Sequence, residues 1–155
     1  MVFLFRLLSL LPLSLLHALG GALGRLVYWL SPTYRRHLRE NIAQAGIDAA
    51  LRGAVAAETG KQMIELARIW MRPLDEAVPL VAEVTGWEHV EAARAAGKGI
   101  VFLTPHLGCF EITAQYLSSF GDITVLYREP KSATANELIL MGRKRAQLHL
   151  APADL

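Results

Sequence analysis

A chain of 155 residues accommodates one domain with a modest core, and 53% of its residues are hydrophobic. Its net charge of +2 is mild, and no basic stretch is interleaved with aromatics, which argues against a nucleic-acid partner. The single cysteine, Cys109, excludes an internal disulfide and fits a reducing compartment.

The hydrophobic excess is concentrated near the amino terminus. Leu7 to Gly24, "LLSLLPLSLLHALGGALG", is an 18-residue run without acidic or basic charge apart from His17. At about 1.5 Å per residue it makes about 27 Å of helix, close to the roughly 30 Å bilayer core. Tyr28 and Trp29 follow and suit an interfacial belt. Arg6 precedes the run, whereas Arg25, Arg35, Arg36, His37 and Arg39 follow it. Residues 1–30 therefore read as a membrane anchor, with the remaining residues, 31–155, in the cytoplasm. The basic cluster suits anionic lipid headgroups. Pro12 and the Gly20-Gly21 pair weaken a straight span, so a crossing helix and an interfacial anchor both stay open. Gly20 and Gly24 form a GxxxG, a weak sign of helix pairing when it stands alone.

Beyond the anchor, Ser31 as cap, Pro32 at the first helical position and Gly46 as a stop predict a short helix. Val55, Met63, Leu66 and Trp70 recur at helical spacing within 49–71, and Pro73 ends that helix. "PLVAEVTG" (79–86) reads as a short strand, and "WEHVEAARAAGKG" as a helix closed by Gly97 or Gly99. "GIVFLT" (99–104) is an unbroken apolar run, as expected of a strand buried on both faces. A helix over 111–121, a strand over 122–128 and a helix over 136–146 complete the series. The expected fold is α/β: helical amino-terminal segments, then a βαβα unit with mostly parallel strands and an incomplete sheet. Ligands in such sheets sit beyond the carboxyl ends of the strands, where His106 and Arg128 fall.

"LTPHLGCFE" (103–111) is the stretch that suggests chemistry. On a continuous helix His106 and Glu111 would stand about 140° apart and could not cooperate. Pro105 and Gly108 disfavour helix there, which puts His106 in a turn and Glu111 in the first turn of the following helix. A carboxylate so placed can accept a proton from one imidazole nitrogen, leaving the other to take a proton from an alcohol. The bland alternative is a helix-capping histidine beside an exposed glutamate.

"GKGIVFLTPHLGCFE", followed by "VLYREPKS", resembles the lipid A biosynthesis acyltransferases, the lauroyl and myristoyl transferases of Gram-negative inner membranes. These lie within the lysophospholipid and glycerol-phosphate acyltransferase superfamily. "YRRHLRENI", "GKQMIELARIW" and "VTGWEHVEAARAAGKG" extend the resemblance over nearly the whole chain. It implies that His106 is a general base oriented by Glu111, deprotonating an acceptor hydroxyl that attacks the thioester of an acyl-carrier-protein. Arg128 would hold a phosphate of a glycolipid acceptor, with Arg143 and Arg145 as further contacts or as a solvated basic helix end. No cofactor or metal is implied; the partners are acyl-carrier-protein, a phosphorylated glycolipid and membrane lipids, and the location is the inner membrane, facing the cytoplasm.

Three departures accompany the resemblance. Cys109 and Phe110 stand where asparagine and tryptophan are more usual, and Glu129 replaces a proline after the arginine. Relatives continue past the equivalent of Leu155, so the chain reads as an amino-terminal portion lacking the carboxy-terminal part of the domain. The rival from another class is accordingly a non-catalytic, membrane-anchored fragment that binds lipid or a partner. A thiol hydrolase using Cys109 with His106, and a metal site of His106, Cys109 and Glu111, are weaker rivals.

Overall fold

The computed structural model describes residues 2–145 and 147–153. Helix α1 (Val2–Ser9) is followed by α2 (Leu13–Leu30), so the uncharged run is broken at Leu10–Pro12 rather than continuous from Leu7. Pro12 cannot donate into a preceding turn, and it sits where α2 begins. The Gly20-Gly21 pair does not interrupt α2. These glycines serve the packing of α2 on α4 (Arg52–Met71). A methyl group at Gly20 would lie 2.6 Å from Ile64 Cγ2, and one at Gly60 would lie 2.8 Å from Gly24 Cα. Only hydrogens fit between the two backbones there. The GxxxG is thus half of a real helix crossing whose other half is Gly60.

Helix α3 (Pro32–Gln44) starts as expected, with the Ser31 hydroxyl accepting from Tyr34 N at 3.3 Å. Tyr28, Leu38, Ile42 and Ala56 join α2, α3 and α4 in one buried cluster. A second cluster of Ile69, Trp70 and Leu138 is flanked by Phe5, Cys109 and Ile112. Met63, placed on the expected core stripe of α4, is instead exposed. Helix α5 (Leu74–Ala77) and α6 (Trp87–Ala95) follow, with Gly97 at φ 66° closing α6. Residues 79–86 form no strand; a 3-10 turn at Val78–Leu80 leads into irregular chain.

The sheet is real but displaced by one element. Strand β1 (Ile123–Tyr127) pairs in parallel with β2 (Leu148–Pro152), in register Ile123 with Leu148 through Tyr127 with Pro152. Helix α8 (Ala133–Arg143) is the crossover between them, and α7 (Glu111–Ser118) precedes β1. The βαβ unit is therefore β1–α8–β2. "GIVFLT" is not a strand in this structure, nor is it buried on both faces: Val101 and Leu103 are 86% and 92% exposed. A strand exists only through its ladder, and this run stands off from β1 across a cavity instead of bonding to it.

Candidate functional site

His106 lies in the non-helical turn that the sequence predicts, and Gly108 beside it adopts φ 55°, a left-handed conformation that suits glycine. The Gly108 carbonyl accepts from the Gln62 side chain, which ties the turn to α4. The His106 ring is exposed and packs on Phe110, with centroids 4.2 Å apart. Glu111 opens α7 as expected, but its carboxylate points into the protein and is only 8% exposed. Its Oε2 accepts from Trp70 Nε1 at 3.1 Å and from Arg143 Nε at 3.0 Å, and Oε1 accepts from Arg143 Nη2. Among the described residues no hydrogen bond joins His106 to Glu111.

Sequence reasoning missed this buried triad. Its members are 41 and 32 positions from Glu111, and Trp70 read simply as core. One local signal was present, since Gly142 sits just before Arg143. A methyl group at Gly142 would lie 2.6 Å from Trp70 Cδ2, so glycine lets α8 press onto the indole and brings Arg143 within reach of Glu111.

His106, Glu111, Arg128 and Arg143 all line one cavity of about 980 Å³ between α6, α7, β1 and the 100–104 run. Arg128 follows the end of β1 and is exposed, without a hydrogen bond or ion pair among the described residues. Glu129, the unexpected acid beside it, is engaged by the Asn136 amide, and Asn136 in turn accepts from the Tyr127 hydroxyl. Arg145 is elsewhere. It donates to the carbonyls of Ile69 at 2.9 Å, Trp70 at 3.0 Å and Arg72, closing the carboxyl end of α4. A smaller cavity of about 290 Å³, walled by Val81, Val84, Val90, Ile112 and Leu117, abuts the first at Phe102.

Cys109 is a poor nucleophile. Burial pushes its thiol up to about 12, and the neighbouring Glu65 carboxylate adds to this. Glu65 is itself held by His17 Nε2 at 2.8 Å. The thiol-hydrolase reading is not supported by this environment.

An exposed histidine, a buried carboxylate and two arginines thus line one cavity. The chain belongs to the bacterial lipid A biosynthesis acyltransferase family, whose model matches residues 1–154. No curated protein and no solved structure matches it. Membership implies an acyl donor and a lipid acceptor in general terms. Helix α2 is long and apolar enough to cross a membrane, with a mean hydropathy of 1.2.

Proposed function

We propose that this chain transfers a fatty acyl group from acyl-carrier-protein to a hydroxyl of a phosphorylated lipid A precursor, at the cytoplasmic face of the inner membrane. The observation that carries the reading is the shared cavity of His106, Glu111, Arg128 and Arg143, in a member of this family. His106 takes the acceptor O–H proton as the oxygen attacks the thioester carbon. The tetrahedral oxyanion then collapses, the C–S bond breaks, and His106 returns the proton to the departing thiolate. Arg128, unpaired among the described residues and carrying a planar donor fork, binds the acceptor phosphate. The smaller apolar cavity offers a place for hydrocarbon.

Glu111 has a role compatible with its burial. A carboxylate offers about four acceptor sites. Three donor contacts, from Trp70 and Arg143, are in place. One site is left for an imidazole N–H when the exposed His106 ring turns from Phe110, and such bonds commonly tighten only with substrate bound. A second reading, lipid or partner binding without turnover, draws on the exposed 101–103 run, which leaves one wall of the cavity open. Transfer of a labelled acyl group from acyl-carrier-protein to a lipid A precursor separates the two. Turnover that His106→Ala abolishes supports the enzyme; binding without turnover supports the rival.

A further inference from the structure

We propose that α1 and α2 lie flat in the membrane interface, against an anionic lipid surface, and that α2 does not cross the bilayer. The inference rests on the membrane attachment proposed above and specifies its geometry. Helix α2 runs antiparallel to α4 along its length. Arg68 of α4 donates to the Leu11 carbonyl at 3.4 Å, His17 meets Glu65 at 2.8 Å, Gly20 and Gly24 meet Gly60, and Tyr28 shares a cluster with Ala56. A crossing α2 would therefore carry α4 into hydrocarbon beside it. Helix α4 bears Glu58, Lys61, Glu65 and Arg68, and Glu58 and Lys61 form an ion pair in which Glu58 is largely exposed. Charges at bilayer depth are costly even when paired.

The outward face of α2 fits the alternative. At about 100° per residue, Leu15, Leu19, Leu26 and Leu30 fall within about 60° of arc. All four are exposed, as are Phe3, Leu4 and Leu7 of α1. The opposite face, Leu16, Gly20, Gly24 and Tyr28, is buried on the protein. An apolar stripe on one side, with protein on the other, is the pattern of a helix that beds its outer face in the headgroup–acyl boundary. The flanking charge selects the lipid: Arg6 of α1, Arg25 of α2 and Arg36 at the start of α3 are exposed, and Trp29, 70% exposed, suits the headgroup level.

The two geometries differ in where the amino terminus lies. The full chain is expressed with a cysteine on a short Gly-Ser spacer ahead of Met1, or with Ala50→Cys, and spheroplasts are treated with a membrane-impermeant maleimide. The unaltered chain measures the background from Cys109. In-plane α2 predicts that both positions label in the membrane fraction only after lysis, with intact labelling below a tenth of that value. Labelling of the amino-terminal cysteine alone in intact spheroplasts overturns the proposal. Labelling of both keeps the in-plane geometry and overturns the cytoplasmic placement. A chain found in the soluble fraction overturns the attachment reading and this inference with it.

Discussion

Arg143 holds Glu111 through both carboxylate oxygens, at the point where α8 meets the first turn of α7. Trp70 adds a third donor from α4, so one carboxylate fastens three helices and sits at the edge of the cavity that His106 faces. A side chain so committed has a structural and a chemical role together, and a mutation at Glu111 reports on both unless the two are separated.

The separation begins with stability. Removing one partner of a buried pair leaves an uncompensated charge, which costs about 3–5 kcal/mol when burial is complete. Arg143→Ala strands the Glu111 carboxylate, which is only 7% exposed, and is expected to cost about 3–5 kcal/mol. Glu111→Ala strands Arg143 at a more exposed position, and the double change should cost less than the two single losses combined. Denaturant unfolding of all three variants checks this; additive losses would mean that the pair contributes little in solution.

The crossing of α2 and α4 supplies a second test with its own control. Overpacking a filled site typically costs about 1–3 kcal/mol. Gly60→Ala meets the backbone of Gly24 and is expected to fall in that range. Gly53, in the same helix, has nothing near its missing methyl, and Gly53→Ala should stabilise by about 0.5–1 kcal/mol through helix propensity. Thermal unfolding measures both, and equal effects at the two positions would contradict the close approach.

Much of this arrangement was legible in the residues. Ser31-Pro32 fixed the start of α3, Gly97 the end of α6, and Pro105 with Gly108 kept His106 off the helix. Strand β2 escaped notice although "LHLA" alternates, because Pro152 and a short run weaken the signal; Pro is tolerated there at a strand end. Ser132 as a cap, accepting from Ala135 N, would have placed the start of α8 three residues earlier. The failure at 99–104 is of another kind. Apolar, β-rich residues state a preference, but ladder bonds need a partner at the right distance, which no local pattern encodes. The same holds for the grip of Arg143 on Glu111, which joins residues far apart in the chain.

Cys109 carries a pH prediction. Its folded thiol is pushed up to about 12 by burial and by Glu65, above the roughly 8.5 of a free cysteine. The neutral thiol is therefore the form that the fold favours. Its contribution is fully present below about pH 8.5 and is lost as pH rises toward 12. Cys109→Ala should flatten the decline in stability over that window, retain acyl transfer, and remove the slow reaction with iodoacetamide. Loss of all transfer in Cys109→Ala would revive the thiol nucleophile.

Arg128 is assigned to the acceptor because it is exposed at the end of β1, lines the cavity and is not neutralised by Glu129, whose carboxylate is engaged by Asn136. Arg128→Ala should raise KM for the phosphorylated acceptor while leaving KM for acyl-carrier-protein unchanged. A charge-assisted contact contributes about 1.5–3 kcal/mol, which corresponds to roughly 10- to 150-fold in kcat/KM. Arg128→Lys should recover part of this, since the charge remains and the planar fork is lost. A donor KM that rises instead would reverse the assignment.

The dyad itself is the most exposed part of the proposal, because His106 and Glu111 are not bonded to each other in this structure. If the imidazole turns to Glu111 during the reaction, loss of the base should cost about 10²–10⁴ in rate, and Glu111→Ala should act on the same step. Groups that act as one unit are strongly non-additive. His106→Ala with Glu111→Ala should then be little slower than His106→Ala alone. Arg143→Ala is the needed control, because it loosens Glu111 without removing its carboxylate. It should unfold more easily yet keep far more transfer activity than Glu111→Ala, when both are assayed below their unfolding transitions. Trp70→Phe refines the comparison by keeping most of the packing against Phe5 and deleting only the indole donor to Glu111. If transfer tracks stability across Arg143→Ala, Trp70→Phe and Glu111→Ala, Glu111 is a structural carboxylate and His106 works without it.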